Sequence, residues 1–188
     1  MKKWLVINGS PRVNQNSDQM ATFIRDIGSE LGDQVRVIKL SDQVLATCKG
    51  CYQCLKTGSC TTKDDQAGIV DQMKTSDFLV LISPTYQYNV TAQMKTFLDR
   101  LFSQYEFSGG AFQSRLGPGK KAMVIGICAG DEEKSMGLTI EAMKLPMEGL
   151  DIPVTQVYRY FDSRQTPVRS SGKARTQIAI KMMEMRDD

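Results

Sequence analysis

The chain has 188 residues, 41% of them apolar and 24% charged, with a formal net charge of +3 and no histidine. That length suits a single domain spanning 1–188 with a sizeable core, and the composition is that of a folded globular protein. Lys and Arg are spread without a basic block, which argues against nucleic acid as a partner. No apolar run approaches the roughly 20 residues of a membrane helix, and Trp4 to Ile7 is too short for a signal peptide, so a cytoplasmic location is expected. Without His there is no Ser-His-Asp or Cys-His nucleophile, so enzymatic chemistry would have to come from a cofactor.

In chain order, Lys3 to Asn8 is a short apolar run ending at Gly9 and predicts a buried strand. Met20, Phe23, Ile24, Ile27 and Leu31 fall three and four residues apart, the inner face of a helix closed near Gly32. Gln34 to Leu40 alternates Val35 and Val37 against Arg36 and Lys39, a second strand. A cysteine-rich loop follows, and Asp64-Asp65 is expected to cap a short helix through about Thr75. Phe78 to Ile82 is wholly apolar, as a central parallel strand should be.

Met94, Phe97, Leu98, Leu101 and Phe102 mark the next helical face. Lys121 to Cys128 predicts the fourth strand, Lys134 to Leu150 the fourth helix, Val154 to Tyr160 the fifth strand and Ser170 to Glu184 the last helix. The Gly-rich stretch Ser108 to Gly119 reads as a mobile insertion. Strands alternating with helices imply an open, doubly wound parallel sheet whose strand-to-helix loops share one edge.

Residues 9 to 17, Gly-Ser-Pro-Arg-Val-Asn-Gln-Asn-Ser, lie between the first strand and the first helix. Unpaired N–H groups at a helix start suit a phosphate. Ser10, Asn16 and Ser17 add side-chain donors, and Arg12 adds a charge-assisted pair. Neither a GxGxxG nor a P-loop NTPase pattern is present. The alternative is a polar turn with an Asn or Ser cap. After the third strand, Pro84, Thr85, Tyr86, Gln87, Tyr88 and Asn89 supply the aromatic and amide groups that a flavin ring needs, or else a surface turn whose tyrosines pack locally.

Cys48, Cys51, Cys54 and Cys60 place four thiols within thirteen residues. Thiolates at this spacing suit a [4Fe–4S] cluster or zinc, and a metal-free, redox-sensitive loop is the alternative. Cys128 reads as a small core residue.

Gly-Ser-Pro-Arg after the first strand, Asp64-Asp65 after the cysteine loop, Pro84-Thr85-Tyr86, and Lys95-x-x-x-Asp99-Arg100 resemble the NAD(P)H-dependent FMN reductase–like flavoproteins in type and order. The resemblance covers roughly residues 1 to 130. It implies a flavodoxin-like α/β fold, a five-stranded parallel sheet in the order 2-1-3-4-5 with helices on both faces. By the same resemblance Ser10, Arg12, Asn16 and Ser17 hold the FMN phosphate, and Pro84 to Asn89 line the isoalloxazine. Ala129 and Gly130, in the loop after the fourth strand, close the other side, although that loop departs from the Thr/Ser-x-Gly-Gly pattern of many relatives. Lys95, Asp99 and Arg100 are structural or interfacial.

The cysteine motif is similar to that of the iron–sulfur flavoproteins. The resemblance further implies a homodimer or homotetramer and NAD(P)H as transient electron donor. The electrons would pass to a small acceptor: a quinone, a flavin, an azo or nitro compound, or a metal ion. The flavin carries the chemistry, so no side chain is assigned a catalytic role. An electron carrier with FMN and a [4Fe–4S] cluster, fed by a ferredoxin-like donor, is the alternative, and a thiol-based redox sensor a third.

Overall fold

The computed structural model describes residues 1–107 and 113–187. Strand β1 (Lys3–Asn8) leads through residues 9–15 into helix α1 (Asn16–Glu30), then β2 (Gln34–Lys39). Residues 40–65 carry the cysteines and a one-turn helix α2 (Gln53–Thr57). Helix α3 (Gln66–Thr75), β3 (Phe78–Pro84) and α4 (Ala92–Arg100) follow. The short strands β4 (Tyr105–Glu106) and β5 (Gln113–Ser114) pair with each other. Then come β6 (Lys121–Ile127), the short α5 (Glu133–Met136), α6 (Thr139–Gly149), β7 (Val154–Tyr160) and α7 (Gly172–Asp187).

The main sheet is parallel, with strands in the order β2-β1-β3-β6-β7. Counting only its members, this is the expected 2-1-3-4-5. Successive side chains of a strand point to opposite faces, and both faces are apolar here. Leu5, Ile7, Leu79, Leu81 and Val124 pack against Met73 of α3, Phe97 of α4 and Met143 of α6. Trp4, Val6, Val80, Ile82 and Ile125 pack against Ile24 of α1 and Ile178 of α7. The sheet is therefore covered on both sides, and all its strands end at one edge, where the loops after β1, β2, β3, β6 and β7 meet. No helix among the described residues is long and apolar enough to cross a membrane.

Three local expectations change. Helix α1 begins at Asn16, four residues before its first large apolar side chain, Met20, because a polar first turn is silent in the apolar period. The expected fourth helix is two helices, α5 and α6, parted at Gly137 with φ +54°. The pair Asp64-Asp65 is not the simple cap expected: Asp65, the residue preceding α3, makes no side-chain cap and accepts the Val44 N–H instead at 2.7 Å, while Asp64 accepts the N–H groups of Ala46 at 2.9 Å and Gln66 at 3.2 Å. These carboxylates tie both ends of the cysteine loop together. Of the insertion expected at Ser108 to Gly119, residues 108–112 lie outside the described residues.

Candidate functional site

The loop after β1 is shaped from beneath by buried polar groups. Asn8 accepts the Ser10 N–H on Oδ1 at 2.9 Å and donates from Nδ2 to Asp18 at 2.7 Å. Asp18 also accepts the Asn14 N–H at 2.6 Å and pairs with Lys39 Nζ at 2.8 Å. A carboxylate in the first turn of α1 would repel an anion, and Lys39 offsets that charge. Thr91 donates from its hydroxyl to the Gly9 carbonyl at 2.6 Å and accepts the Met94 N–H at 3.2 Å, so it caps α4 while holding the loop. A Cβ on Gly9 would meet Met94 Cβ at 2.8 Å, which explains the glycine.

Ser10 and Ser17 are buried at the rim, and the residue preceding α1, Gln15, makes no side-chain cap. The first-turn N–H groups of this fifteen-residue helix are therefore left for a ligand.

The loop after β3 folds into a tight turn. Tyr86 and Asn89 exchange backbone hydrogen bonds at 2.8 and 3.1 Å, with Gln87 and Tyr88 at φ +48° and +61°. Two consecutive non-glycine residues in the left-handed region are a costly conformation, of the kind found where a site is pre-organised. Tyr86 and Tyr88 are 41% and 63% exposed, a large aromatic surface left to solvent. Across from them, a Cβ on Gly137 would come within 2.3 Å of the Tyr88 carbonyl, which accepts the Leu138 N–H at 2.7 Å. The break between α5 and α6 thus seats the aromatic loop.

One cavity of about 120 Å³ joins these two loops. Ser10, Arg12, Asn16 and Ser17 line one end, Pro84, Thr85 and Tyr86 the other, with Ala129 beside them. Gln87, Tyr88, Asn89 and Gly130 are not in its wall. Asn16 lines it with its amide already engaged: Nδ2 donates to the Ser163 carbonyl and Oδ1 accepts the Val168 N–H, both at 2.9 Å.

The loop after β7 was not singled out in the sequence, yet Ser163 lines this cavity. A larger adjoining one of about 410 Å³ is lined by Arg12, Arg164 and Arg169. The available signal was its position after a strand of the same parallel sheet. In type, the hydroxyl and guanidinium donors of Ser10, Ser17 and Arg12 and the Pro84–Tyr86 wall fit the phosphate and ring of a flavin mononucleotide.

The four loop cysteines are free thiols and line one cavity of about 40 Å³ together with Arg100 and Phe102. Arg100 and Asp64, 1% and 4% exposed in their side chains, form a two-pronged pair at 2.7 and 3.0 Å, and Arg100 also donates to the Ala46 carbonyl at 2.8 Å. Hydrogen bonding to Arg100 holds the Asp64 carboxyl below its ordinary range. Burial works to raise the Cys60 thiol, but hydrogen bonds from Thr62 and the Arg100 charge outweigh it and leave it low. Burial and the neighbouring Cys60 push Cys54 up.

In number and type these donors fit an iron–sulfur cluster. The described residues nevertheless hold no group of three or more Cys, Asp or Glu side chains drawn close enough to bind a metal. Lys95 pairs with Asp99 on the exposed side of α4. Cys128 is a buried thiol, raised by desolvation and donating to the Gly130 carbonyl at 3.1 Å.

The doubly wound sheet in this strand order, with a phosphate-type loop and an aromatic loop on one edge, defines a flavodoxin-like α/β protein. The chain belongs to the NADPH-dependent FMN reductase family, whose model matches residues 2–156. Among solved structures it is similar to an FMN-dependent NADH-azoreductase from Bacillus anthracis in complex with FMN. That likeness has a TM-score of 0.73 at 17% identity and covers 97% of this chain and 99% of that one.

It is also similar to an NAD(P)H:quinone oxidoreductase from Methanothermobacter marburgensis, with a TM-score of 0.68 at 18% identity over 96% of this chain and 94% of that one. An iron–sulfur flavoprotein of Archaeoglobus fulgidus is 39% identical over 98 residues, 52% of this chain and 48% of that protein. Another, from Methanosarcina thermophila, is 31% identical over 94 residues, 50% and 49% of the two chains. The matched segment thus spans about half the length of these curated relatives.

Proposed function

We propose that this chain is an FMN-dependent oxidoreductase that takes electrons from NAD(P)H and passes them to a small acceptor: a quinone, a free flavin, an azo or nitro compound, or a metal ion. The observation that carries this reading is the single cavity joining Ser10, Arg12 and Ser17 to Pro84, Thr85 and Tyr86.

FMN, when bound, supplies the hydride and electron chemistry. The chain's own residues bind and orient it. Ser10, Ser17, Arg12 and the first-turn N–H groups of α1 take the phosphate, and Asn16 holds the neighbouring loop in place. Pro84, Thr85 and Tyr86 line the ring from within the cavity, and Gln87, Tyr88 and Asn89, outside its wall, would meet the ring where it extends past the cavity, with Tyr86 and Tyr88 offering an apolar face that shields it from water. Ala129 and Gly130 close the opposite side. No general base is required of the protein, which accords with a chain lacking His. In this reading the protein is cytoplasmic and a homodimer or homotetramer, which light scattering checks; a monomer at micromolar concentration removes the oligomer.

The absorbance spectrum of anaerobically purified protein tests the cofactor. Flavin bands are expected, and a colourless protein that takes up no added FMN overturns the reading. Rapid bleaching by NADH or NADPH separates an enzyme from a carrier.

A second reading, an iron–sulfur flavoprotein serving as electron carrier between a ferredoxin-like donor and its acceptor, is supported by the four cysteines lining one cavity and by the names of the curated relatives. In it Cys48, Cys51, Cys54 and Cys60 hold a [4Fe–4S] cluster. Iron and acid-labile sulfide at about four per chain, lost in a Cys51→Ser/Cys54→Ser variant that retains FMN, would establish it. Their absence from anaerobic protein leaves a metal-free thiol loop.

A further inference from the structure

Two cavities at the cysteine loop, of about 40 and 270 Å³, share Cys60, Thr62, Arg100 and Ser103 in their walls. Cys48, Cys51 and Cys54 line only the smaller one, so Cys60 is the loop thiol open to both. It is half-buried, as is Cys54, whereas Cys48 and Cys51 are exposed. The larger cavity lies against α3 at Ala67, Val70 and Lys74 and gives a small molecule room to reach the sulfur.

Three donors converge on that sulfur. The Thr62 N–H and hydroxyl hydrogen-bond to it, and so does the Arg100 guanidinium. Arg100 is fixed by its other groups, since Nη1 and Nη2 bind Asp64 and Nη1 also binds the Ala46 carbonyl. Its Nε is buried and has no oxygen partner among the described residues, which leaves that edge of the guanidinium for the site. A partly exposed thiol beside a fixed cation is the environment of a reactive cysteine. The same donors stand where an oxygen leaving the sulfur's reaction partner gains charge, and preorganised donors act on charge that develops in a transition state.

Cys54 supplies a second thiol. It sits in the one-turn α2, and among the loop thiols Cys60 acts on it most strongly. Helix α2 buries no side chain and is bounded by Tyr52 at φ +56° and Gly58 at φ +72°. Little packing therefore opposes the shift that brings the two sulfurs into bonding distance. The flanking backbone stays anchored meanwhile, because Asp64 and Asp65 hold Ala46 and Val44.

We propose that Cys60, Thr62 and Arg100 form a thiol site that reduces hydroperoxides, with Cys54 as the resolving thiol. The Cys60 sulfur attacks the terminal oxygen of the hydroperoxide. An S–O bond forms, the O–O bond breaks, and an alcohol or water leaves with the thiol proton. The Cys54 sulfur then attacks the sulfenic acid on Cys60: an S–S bond forms, the S–O bond breaks, and the hydroxyl leaves as water with the Cys54 proton. A thiol pair and a hydroperoxide thus give a disulfide, an alcohol or water, and a water, with an electron pair passing from sulfur to oxygen. A dithiol reductant restores the pair. This site belongs to the reading in which the cysteine loop is metal-free, and its chemistry does not pass through the flavin.

The test adds equimolar hydrogen peroxide to the fully reduced chain and follows peroxide consumption, free thiols and the peptide map, beside flavin and iron content. Loss of a thiol pair into a Cys54–Cys60 disulfide is expected, reversed by dithiothreitol. Cys60→Ser should slow peroxide consumption by about tenfold or more. Cys54→Ser should consume peroxide at the natural rate but stop at a Cys60 sulfenic acid, which dimedone traps. Thr62→Val keeps the shape, removes the hydroxyl and should slow the first step by about tenfold. Undiminished consumption in Cys60→Ser, or a disulfide to another cysteine, overturns the site and leaves the FMN reading standing. So does iron with acid-labile sulfide at about four per chain in anaerobic protein, because a cluster takes both thiols as ligands. The expected disulfide in a chain that takes up no flavin has the opposite effect: it removes the FMN reading and keeps the thiol site.

Discussion

Asn16, the first residue of α1, holds Ser163 of the loop after β7 across 147 positions of sequence, through a 2.9 Å hydrogen bond from its amide to the Ser163 carbonyl. Its other amide atom accepts the Val168 N–H at 2.9 Å. One side chain thus fixes the first and last strand-to-helix loops of the sheet against each other.

Asn16→Ala should cost about 1–3 kcal/mol, the loss of two hydrogen bonds that leave partly buried backbone groups unpaired. For a chain of this size that is a fall in Tm of roughly 2–4 °C per kcal/mol. Asn16→Asp keeps the acceptor for Val168 but turns a carboxylate toward the Ser163 carbonyl and the cavity that Arg12 lines. It should therefore lower flavin affinity more than Asn16→Ala does. Melting curves and flavin titrations of the two variants check this, and equal flavin affinity would remove the electrostatic part of the argument.

Arg12→Ala should weaken flavin retention by about tenfold or more, the worth of one charge-assisted pair. Arg12 is exposed and its guanidinium donates to Gln15, so thermal stability should stay within about 0.5 kcal/mol of the natural chain. Unchanged flavin content after dialysis would count against its assignment to the phosphate.

The Arg100–Asp64 pair is buried, and removing one partner strands the other. Asp64→Asn should destabilise the fold by about 3 kcal/mol near neutral pH. Arg100 depresses the Asp64 pKa, so the stability it contributes is complete above the unfolded value of about 3.9 and is lost as pH falls through the lower folded value. The gap between the natural chain and Asp64→Asn should therefore be constant from pH 7 to about 5 and narrow only below about 4. Urea unfolding at several pH values measures it; a gap that closes already at pH 6 would exclude this pair as the cause.

Gly137→Ala places a methyl group 2.3 Å from the Tyr88 carbonyl, at a φ of +54°. The strain and the clash together should cost about 2 kcal/mol or more. Because Tyr88 sits in the aromatic loop, the visible flavin bands should also shift or sharpen. Destabilisation without any spectral change would place the ring away from that loop.

Much of this was legible along the chain. The all-apolar run Phe78 to Ile82 and the three-and-four spacing of Met20, Ile24 and Ile27 are local consequences of burial, and burial writes itself into residue type. The turns after β1 and β3 were legible for the same reason, as Gly9 and the Tyr86–Asn89 stretch stand at ends of such runs. The division at Gly137 was not, because a lone glycine in a helical pattern does not say what approaches it. The carboxylates at 64 and 65 looked like a cap, and their bonds to Val44 and Ala46 needed the loop's path.

By itself, the sequence determined the parallel α/β class, the chain position of each strand of the main sheet though not the short β4–β5 pair, and the residue types of the phosphate and aromatic loops. It did so because backbone period and burial act on neighbours. Only the tertiary structure decided that these two loops share one cavity, that Asn16 is engaged by the β7 loop, and that Arg12, Arg164 and Arg169 surround a common space. Those are contacts between residues about 70 to 150 positions apart, set by strand order and loop packing. No local preference of Arg164 or Arg169 carries information about Arg12; the shared edge of the sheet brings them together.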